Sequence, residues 1–177
     1  MRKPKKEKVL WSSRWVRLIE VSGEKRGDYY YGLRQNPYVG VLPLLPERHF
    51  VILRQFRPLL SSFTWEFPAG TVDAGVSPLD AARQELWEEV GLLAKKWSSL
   101  GVFFPDTGRL AMPSYGFLAE CRWHGPSRRR HGNFEVKKVS WRQLQAMIRS
   151  GKFRHQLHLG LLGAWLIRQR GLDFEIS

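Results

Sequence analysis

The stretch GTVDAGVSPLDAARQELWEEVGL, residues 70–92, decides the fold of this chain because it carries a well-defined helix pattern. Ser77 is a residue type that caps helices, Pro78 suits the first helical turn, and Gly91 is the residue type that most often follows a helix. Apolar residues recur between them at three- and four-residue intervals: Leu79, Ala82, Leu86 and Val90. The pattern predicts an amphipathic helix that begins near Pro78 and ends at Gly91.

Three glutamates project from one face of this predicted helix. Glu85, Glu88 and Glu89 are at positions i, i+3 and i+4, so their side chains lie within about one turn of one another. Like charges this close raise each other's pKa unless a cation lies among them, and a hard divalent ion such as Mg²⁺ or Mn²⁺ takes oxygen ligands of this kind. The spacing alone also fits an exposed acidic helix face with no ligand.

The segment before the helix favours a metal site over a plain acidic surface. TWEFPAG, residues 64–70, is typical of a strand that ends at Pro68 and Gly70 and is followed by a turn back to the helix. A strand, loop and helix in this order could place the backbone carbonyl of Ala69 and the three glutamates around one point.

The rest of the chain alternates strand patterns with a few helix patterns. Short apolar or alternating runs separated by turn residues predict strands at 14–21, 28–33, 38–45, 49–56, 99–104, 113–121 and 135–141. Two further helices are predicted at 141–151 and 155–171, each ending at a glycine. The chain is therefore predicted to have a mixed α/β fold with a sheet-rich N-terminal half.

The chain is strongly basic, with 29 Lys and Arg against 16 Asp and Glu in 177 residues. Such a surface attracts anions, including nucleotides and nucleic acid. Residues 1–10 are predicted to form a flexible basic arm, because five of the first eight residues are Lys or Arg and nothing there is periodic. Residues 11–177 have the length of one domain.

Composition excludes several other classes of protein. A hydrophobic content of 43% is too high for an intrinsically disordered chain. No apolar run reaches the roughly 18 residues of a membrane helix, which predicts no membrane association. The lone Cys121 lies in an apolar run and allows no intramolecular disulfide, which favours a reducing compartment. We therefore predict a cytoplasmic protein.

The chain resembles the Nudix hydrolases. The residues that match the Nudix box are Gly70, Glu85, Leu86, Glu88, Glu89, Gly91 and Leu92. RQFRP at 54–58 and WEFPAG at 65–70 resemble segments of the ADP-ribose and ADP-sugar pyrophosphatase branch. The resemblance implies an α/β/α sandwich with a mixed sheet and an N-terminal antiparallel strand region. It also implies a homodimer in which N-terminal strands, within residues 11–45, help build the partner's site.

The resemblance further implies metal-dependent hydrolysis of a nucleoside diphosphate linked to another group. ADP-ribose or a related ADP-sugar would give AMP and a sugar phosphate, with Mg²⁺ as cofactor and Mn²⁺ as a substitute. The implied metal ligands are the Ala69 carbonyl and the carboxylates of Glu85, Glu88 and Glu89.

Other residues are candidates for catalysis and for substrate binding. The three box glutamates are the preferred source of a general base. Glu135 is a further candidate, and its alternative role is that of an outward-facing strand residue. The candidate substrate-binding residues are Arg54, Arg57, Glu66 and Gly70, of which the charged ones could instead form ion pairs on the sheet. Aromatic candidates for contact with adenine are Trp11, Trp15 and Tyr30.

Two positions depart from the Nudix box. Val76 stands where the box has its first Glu, and Gln84 stands where it has Arg. We hypothesise that an apolar contact and a neutral hydrogen bond replace a charge pair that supports the loop against the helix.

Two other functions stay open. The basic arm and the run Arg128, Arg129 and Arg130 suit an enzyme that acts on capped or 5′-phosphorylated RNA. The two box departures suit a degenerate module that binds nucleotide or nucleic acid without cutting it. His155 and His158 are predicted to flank a packed helix face rather than to bind metal.

Overall fold

The computed structural model describes residues 6–123 and 135–170, which form two sheets and three α-helices. The small antiparallel sheet has the order β1 (Glu7–Ser12), β2 (Val16–Ser22) and β3 (Tyr29–Gln35). The large sheet contains β4 (Tyr38–Leu45), β5 (His49–Arg57), β6 (Ser62–Glu66), β7 (Ala69–Thr71), β8 (Ala94–Phe103), β9 (Ser114–Cys121) and β10 (Glu135–Ser140). The helices are α1 (Pro78–Val90), α2 (Trp141–Arg149) and α3 (Gln156–Arg170).

The large sheet is mixed. Its main order is β10-β5-β4-β9-β8, with β6 paired to β5 and β7 paired to β4. The pair β4 and β9 is parallel, while the other pairs are antiparallel. A parallel pair needs a long connection between its strands, and here that connection includes α1.

Helices cover both faces of the large sheet. Along β5, Val51 and Leu53 pack in the core cluster that includes the apolar stripe of α1. Phe50 and Ile52 pack in a second cluster, which includes Trp165 of α3 and residues of α2. Because side chains alternate across a strand, these clusters lie on opposite faces. The predicted α/β/α sandwich is confirmed.

The predicted strands and helices agree closely with the structure, with three differences. The single strand predicted to end at Pro68 and Gly70 is two strands, β6 and β7, which pair with β5 and β4 respectively. Strand β8 begins at Ala94, five residues before the predicted run at 99. Its first five residues are half-buried or exposed and include Lys95, Lys96 and Ser98, so the sequence shows no apolar run there. The prediction of a flexible arm is wrong for residues 7–10, which belong to β1 and pair with β2. All six residues of β1 are exposed, so the strand has no alternation of buried and exposed residues that the sequence could reveal. Among the described residues, no helix is both long and apolar enough to cross a membrane.

Local features position the loop before α1. Ser77 caps the helix by accepting a hydrogen bond from the Asp80 amide at 3.1 Å. Gly91 ends it in the left-handed conformation, with a φ of 68°. Strand β7 pairs with β4, so that Gly70 lies opposite Val39. The loop from β7 to α1 is thus held between the sheet and the helix.

Candidate active site

Gly70 and Glu85 are in direct contact. A Cβ atom at residue 70 would overlap both carboxylate oxygens of Glu85. Any side chain at residue 70 would therefore displace Glu85, and this is why the loop needs glycine here. The contact places a half-buried carboxylate of α1 directly on the backbone of β7.

Glu89 ties the same loop to the last turn of α1. Its Oε2 accepts a hydrogen bond from the Ala69 amide at 2.9 Å, and only 8% of the residue is exposed. Burial raises the pKa of Glu89 to about 8; the Ala69 amide opposes the rise, and the charge of Glu85 adds to it. Burial likewise raises the pKa of Glu85 to about 7, with smaller contributions from Glu88 and Asp73.

These carboxylates fit a hard divalent cation. Glu85 and Glu89 are shielded from water and repel each other, and Glu88 lies beside them, half-buried. A cation among them would offset both the cost of burying these charges and their mutual repulsion. A set of oxygen donors alone suits Mg²⁺ or Mn²⁺ better than softer metals. The amide of Ala69 is held by Glu89, so the residue predicted to offer a carbonyl ligand lies beside the carboxylates.

A buried ion pair lies next to the carboxylates. Glu66 is 1% exposed, and it accepts hydrogen bonds from Arg57 Nε at 2.8 Å, from Arg57 Nη2 and from Thr64 Oγ1. Burial opposes ionisation of Glu66, but the bonds from Arg57 and Thr64 outweigh it and lower its pKa. The bond to Glu66 raises the pKa of Arg57 in turn. Both groups are therefore charged at neutral pH.

Tyr38 connects this ion pair to the box glutamates. Its phenol hydrogen-bonds with Arg57, and burial raises its pKa while Arg57 opposes the rise. The charges of Glu66, Glu89 and Glu85 also act on it. The Tyr38 hydroxyl is thus within electrostatic reach of both groups of charged residues. Sequence analysis missed Tyr38, because only the pairing of β4 with β7 brings it beside this loop.

Comparison with known proteins agrees with this geometry. The family model described as NUDIX domain matches residues 34–159. The chain belongs to the NUDIX family. The Nudix box of this chain is therefore the loop and helix that carry Gly70, Glu85, Glu88 and Glu89.

Curated relatives match over shorter stretches. An ADP-ribose pyrophosphatase of Bacillus subtilis (strain 168) is 35% identical over 82 residues, which are 46% of this chain and 44% of that protein. An ADP-sugar pyrophosphatase of Mus musculus is 44% identical over 57 residues, 30% of this chain and 26% of that protein. An RNA pyrophosphohydrolase of Psychrobacter sp. (strain PRwf-1) is 62% identical over 29 residues, 16% of this chain and 17% of that protein. The matches thus span less than half of each relative.

One solved structure, titled as the crystal structure of an ADP compounds hydrolase, superposes with a TM-score of 0.73. The superposition covers 97% of this chain and 98% of that one at 18% identity. At this identity the likeness shows the fold alone.

The structure corrects the hypothesis about the two departures from the Nudix box. Val76 is 38% exposed, so it does not replace a charge by a buried apolar contact. Gln84 does form a neutral hydrogen bond, from Nε2 to Glu88 Oε1 at 3.0 Å. That bond joins two residues of α1 and does not connect the loop to the helix.

Arg54 and Glu135 lie together, but their surroundings differ from those of the box. They face each other across β5 and β10, with Arg54 Nη1 at 3.4 Å from Glu135 Oε2. Glu135 also accepts from Lys137 Nζ at 2.8 Å, and the bonds from Lys137 and Arg54 lower its pKa. A general base near neutral pH needs the opposite shift. The geometry favours the alternative role for Glu135, an outward-facing strand residue.

Two histidines of the C-terminal region lie beside the ion pair. His158 is fully buried, and its Nδ1 accepts a hydrogen bond from the Phe67 amide at 3.1 Å, so Nε2 carries the proton. The ring of His155 stacks on it with centroids 4.1 Å apart, and His155 Nε2 is 3.9 Å from Glu66 Oε2.

Donor atoms of Glu66, His155 and His158 lie within 4.8 Å of one another, a spacing that a metal could use. The protonated Nε2 of His158 has no lone pair to offer, however, and Arg57 already pairs with Glu66. We therefore interpret His155 and His158 as neutral residues that pack beside the Arg57–Glu66 pair and do not bind a metal.

Two cavities open beside the site. One of about 410 Å³ is lined by Trp15, Gln35, Asn36, Tyr38, Thr71 and Met112. The other, of about 680 Å³, is lined by residues that include Arg57, Glu66, Arg154 and His155. Of the three aromatic candidates for adenine contact, Trp15 lines the first cavity and Tyr30 lines a different one. Arg128, Arg129 and Arg130 lie outside the described residues.

Proposed function

We propose that this chain is a metal-dependent hydrolase that cleaves the diphosphate bond of a nucleoside diphosphate linked to another group. ADP-ribose or a related ADP-sugar is the proposed substrate, and AMP and a sugar phosphate are the products. The observation that carries the proposal is the contact of Glu85 with Gly70 beside the bond from the Ala69 amide to Glu89. The names of the Bacillus subtilis and mouse relatives support the substrate class.

The carboxylates of α1 supply the ligands and the base. A divalent cation held by them would neutralise the diphosphate oxygens and lower the pKa of a bound water. Glu89 is oriented by the Ala69 amide at Oε2, which leaves Oε1 to accept a proton from the attacking water.

Arg57 supplies fixed positive charge. Glu66 holds its guanidinium through Nε and Nη2, and Tyr38 hydrogen-bonds to it as well. A cation that is held in place stabilises the charge that develops on a phosphate leaving group, at no cost of reorganisation during the reaction. Arg57 lines the 680 Å³ cavity, so this cavity is proposed to receive the diphosphate and its second substituent.

The cavity beside Tyr38 is proposed to receive the nucleoside. Trp15, which is 64% exposed, lines this cavity. Thr71 of β7 also lines it and directly follows Gly70 in the chain. An exposed indole offers a stacking surface for adenine. The small sheet also exposes other aromatic residues, which supports the proposal of a homodimer: Trp11, Tyr29, Tyr30 and Tyr31.

The test is AMP release from ADP-ribose with Mg²⁺ or Mn²⁺, beside ADP-glucose. Glu89→Gln is expected to lower the rate about 100-fold or more, because it removes both a ligand and the proposed base. Glu120→Gln is the matched control, since Glu120 lies on β9 and pairs with Lys96. If stoichiometric enzyme binds ADP-ribose and releases no AMP in a single turnover, the chain is a degenerate binding module instead.

Hydrolysis at the 5′ end of RNA is a second candidate function. The identity of 62% over 29 residues to a protein named RNA pyrophosphohydrolase favours it, together with the formal charge of +13. Pyrophosphate release from 5′-triphosphorylated RNA, without turnover of ADP-ribose, would select it over the first.

A further inference from the structure

A further cavity, which is rich in positive charge, lies at the edge of the large sheet. It has a volume of about 450 Å³ and lies between β5, β6, β10 and the segment after α2. Four cationic side chains and one carboxylate contribute to its lining, which consists of Arg54, Phe63, Trp65, Glu135, Lys137, Gly151, Lys152 and Arg154. We call it the basic aromatic cavity.

Strand register brings these residues to one face of the sheet. Arg54 of β5 lies opposite Trp65 of β6 on one side and opposite Glu135 of β10 on the other. Residues opposite each other in paired strands project to the same face. Lys137, two residues after Glu135, shares that face. This face of the ladder therefore carries two cations, a carboxylate and an indole ring.

The cations of this ladder are held in place. The Arg54 guanidinium lies 4.4 Å from the Phe63 ring centroid, and Lys137 Nζ lies 4.7 Å from that of Trp65. Glu135 bonds to both cations, at 3.4 Å to Arg54 and 2.8 Å to Lys137. One carboxylate thus orders two positive groups and neutralises only one of them.

The other two cations of the cavity, Lys152 and Arg154, are available to bind a ligand. Lys152 and Arg154 are exposed, and neither forms an ion pair with any of the described residues. Gly151 precedes them with a φ of 70°, which turns the chain after α2 and presents them to the cavity. Arg154 also lines the 680 Å³ cavity beside Arg57, so the two cavities adjoin.

We propose that the basic aromatic cavity binds single-stranded nucleic acid. Fixed cations neutralise backbone phosphates, while aromatic rings and the Arg54 guanidinium offer surfaces on which bases stack. The volume is suited to a ligand the size of a nucleotide. The adjoining cavity, reached past Arg154, lets a strand continue beyond one nucleotide. This binding does not depend on the proposed hydrolysis.

The test uses the full chain and a fluorescein-labelled oligouridylate of 12 nucleotides, with binding followed by anisotropy at a series of salt concentrations. The variant Lys137→Ala with Lys152→Ala removes two cations of the cavity, and Lys95→Ala with Lys96→Ala removes two from β8 as the matched control. Both variants must have the same melting temperature as the wild type. We expect the cavity variant to bind about tenfold more weakly and its salt slope to fall by about 1.4, as two lost phosphate contacts require.

A second variant tests the aromatic part of the surface. Phe63 is 53% exposed, so Phe63→Ala can lose a stacking surface without emptying the core. About tenfold weaker binding with an unchanged salt slope is expected. Equal losses in the cavity variant and the β8 control would overturn the proposal, because binding would then be diffuse. Displacement of the oligonucleotide by equimolar AMP would also overturn it, because the cavity would then be a mononucleotide site.

Discussion

The Ala69 amide donates to Glu89 Oε2 at 2.9 Å, while the neighbouring residue, Gly70, is covered by the carboxylate of Glu85. Two residues one helical turn apart on α1 therefore contact two consecutive residues of β7. The consequence is that loop, helix and carboxylates form one rigid unit. Metal affinity, local stability and substrate position should respond together when this unit is altered.

Adding a side chain at Gly70 should break this unit. Gly70→Ala is expected to cost about 1–3 kcal/mol of folding free energy, because the new methyl group must displace Glu85. A shorter carboxylate, Glu85→Asp, should recover part of that loss in the double variant. Urea unfolding measures both effects. Gly160→Ala is the control, since a Cβ there meets nothing within 4 Å and should not destabilise α3.

Burial of the carboxylates predicts that the metal-free protein loses stability as the pH rises from about 4.5 to about 8. An acid whose pKa is higher in the folded state binds more protons when folded at every pH between its unfolded and folded values, so stability falls across that interval and levels off above it. The interval runs from the ordinary value of 4.5 to about 7 for Glu85 and to about 8 for Glu89. Between pH 6.5 and 8 alone, the melting temperature in EDTA should fall by about 5 °C.

Two comparisons identify the carboxylates as the cause. His155 and His158 have lowered pKa values, so both are neutral above pH 6.5 and add little in this range. Mg²⁺ should raise the melting temperature more at pH 8.5 than at pH 6.5, because it binds the ionised carboxylates. Glu89→Gln should flatten the profile in EDTA. A wild-type profile that is already flat would contradict the burial argument.

The Arg57–Glu66 pair should be more sensitive to the loss of one partner than of both. Arg57→Met leaves the nearly fully buried Glu66 charge without its main partner. The expected loss of folding free energy is about 2–3 kcal/mol. This is less than for a fully buried pair, because Arg57 is one-third exposed and water screens its charge. Adding Glu66→Gln should restore much of this stability. Hydrolysis should stay low in both variants, because the fixed cation is missing. Chemical unfolding and initial rates separate the two effects.

His158 should stabilise the fold at neutral pH and weaken it in acid. His158→Phe keeps an aromatic ring beside Phe67 and Phe153 but removes the acceptor for the Phe67 amide, at a cost of about 1–2 kcal/mol at pH 7.5. The pKa of His158 is well below its ordinary value because of burial, so the wild type loses stability as the pH falls below about 6.5. Urea unfolding at pH 7.5 and 5.5 should therefore show a smaller acid loss in the variant.

The sequence was sufficient to predict those parts of the site that depend on local geometry. Spacing along one helix grouped Glu85, Glu88 and Glu89, and turn residues marked the loop before them. Tyr38 could not be predicted, because its place beside Arg57 depends on which strands pair and in which register. For the same reason Glu135 was considered as a general base: only the ladder with β5 shows that Arg54 faces it.

Val76→Glu tests how this chain tolerates its departure from the Nudix box. The position is exposed and immediately precedes the cap residue Ser77, so a new carboxylate would have access to water. It would also lie near the N-terminus of α1, where negative charge is favoured by a few tenths of a kcal/mol. We therefore expect a melting temperature within about 2 °C of the wild type, and no further effect when Gln84→Arg is added. A clear drop with Val76→Glu that Gln84→Arg reverses would show that the two positions form a buried pair after all.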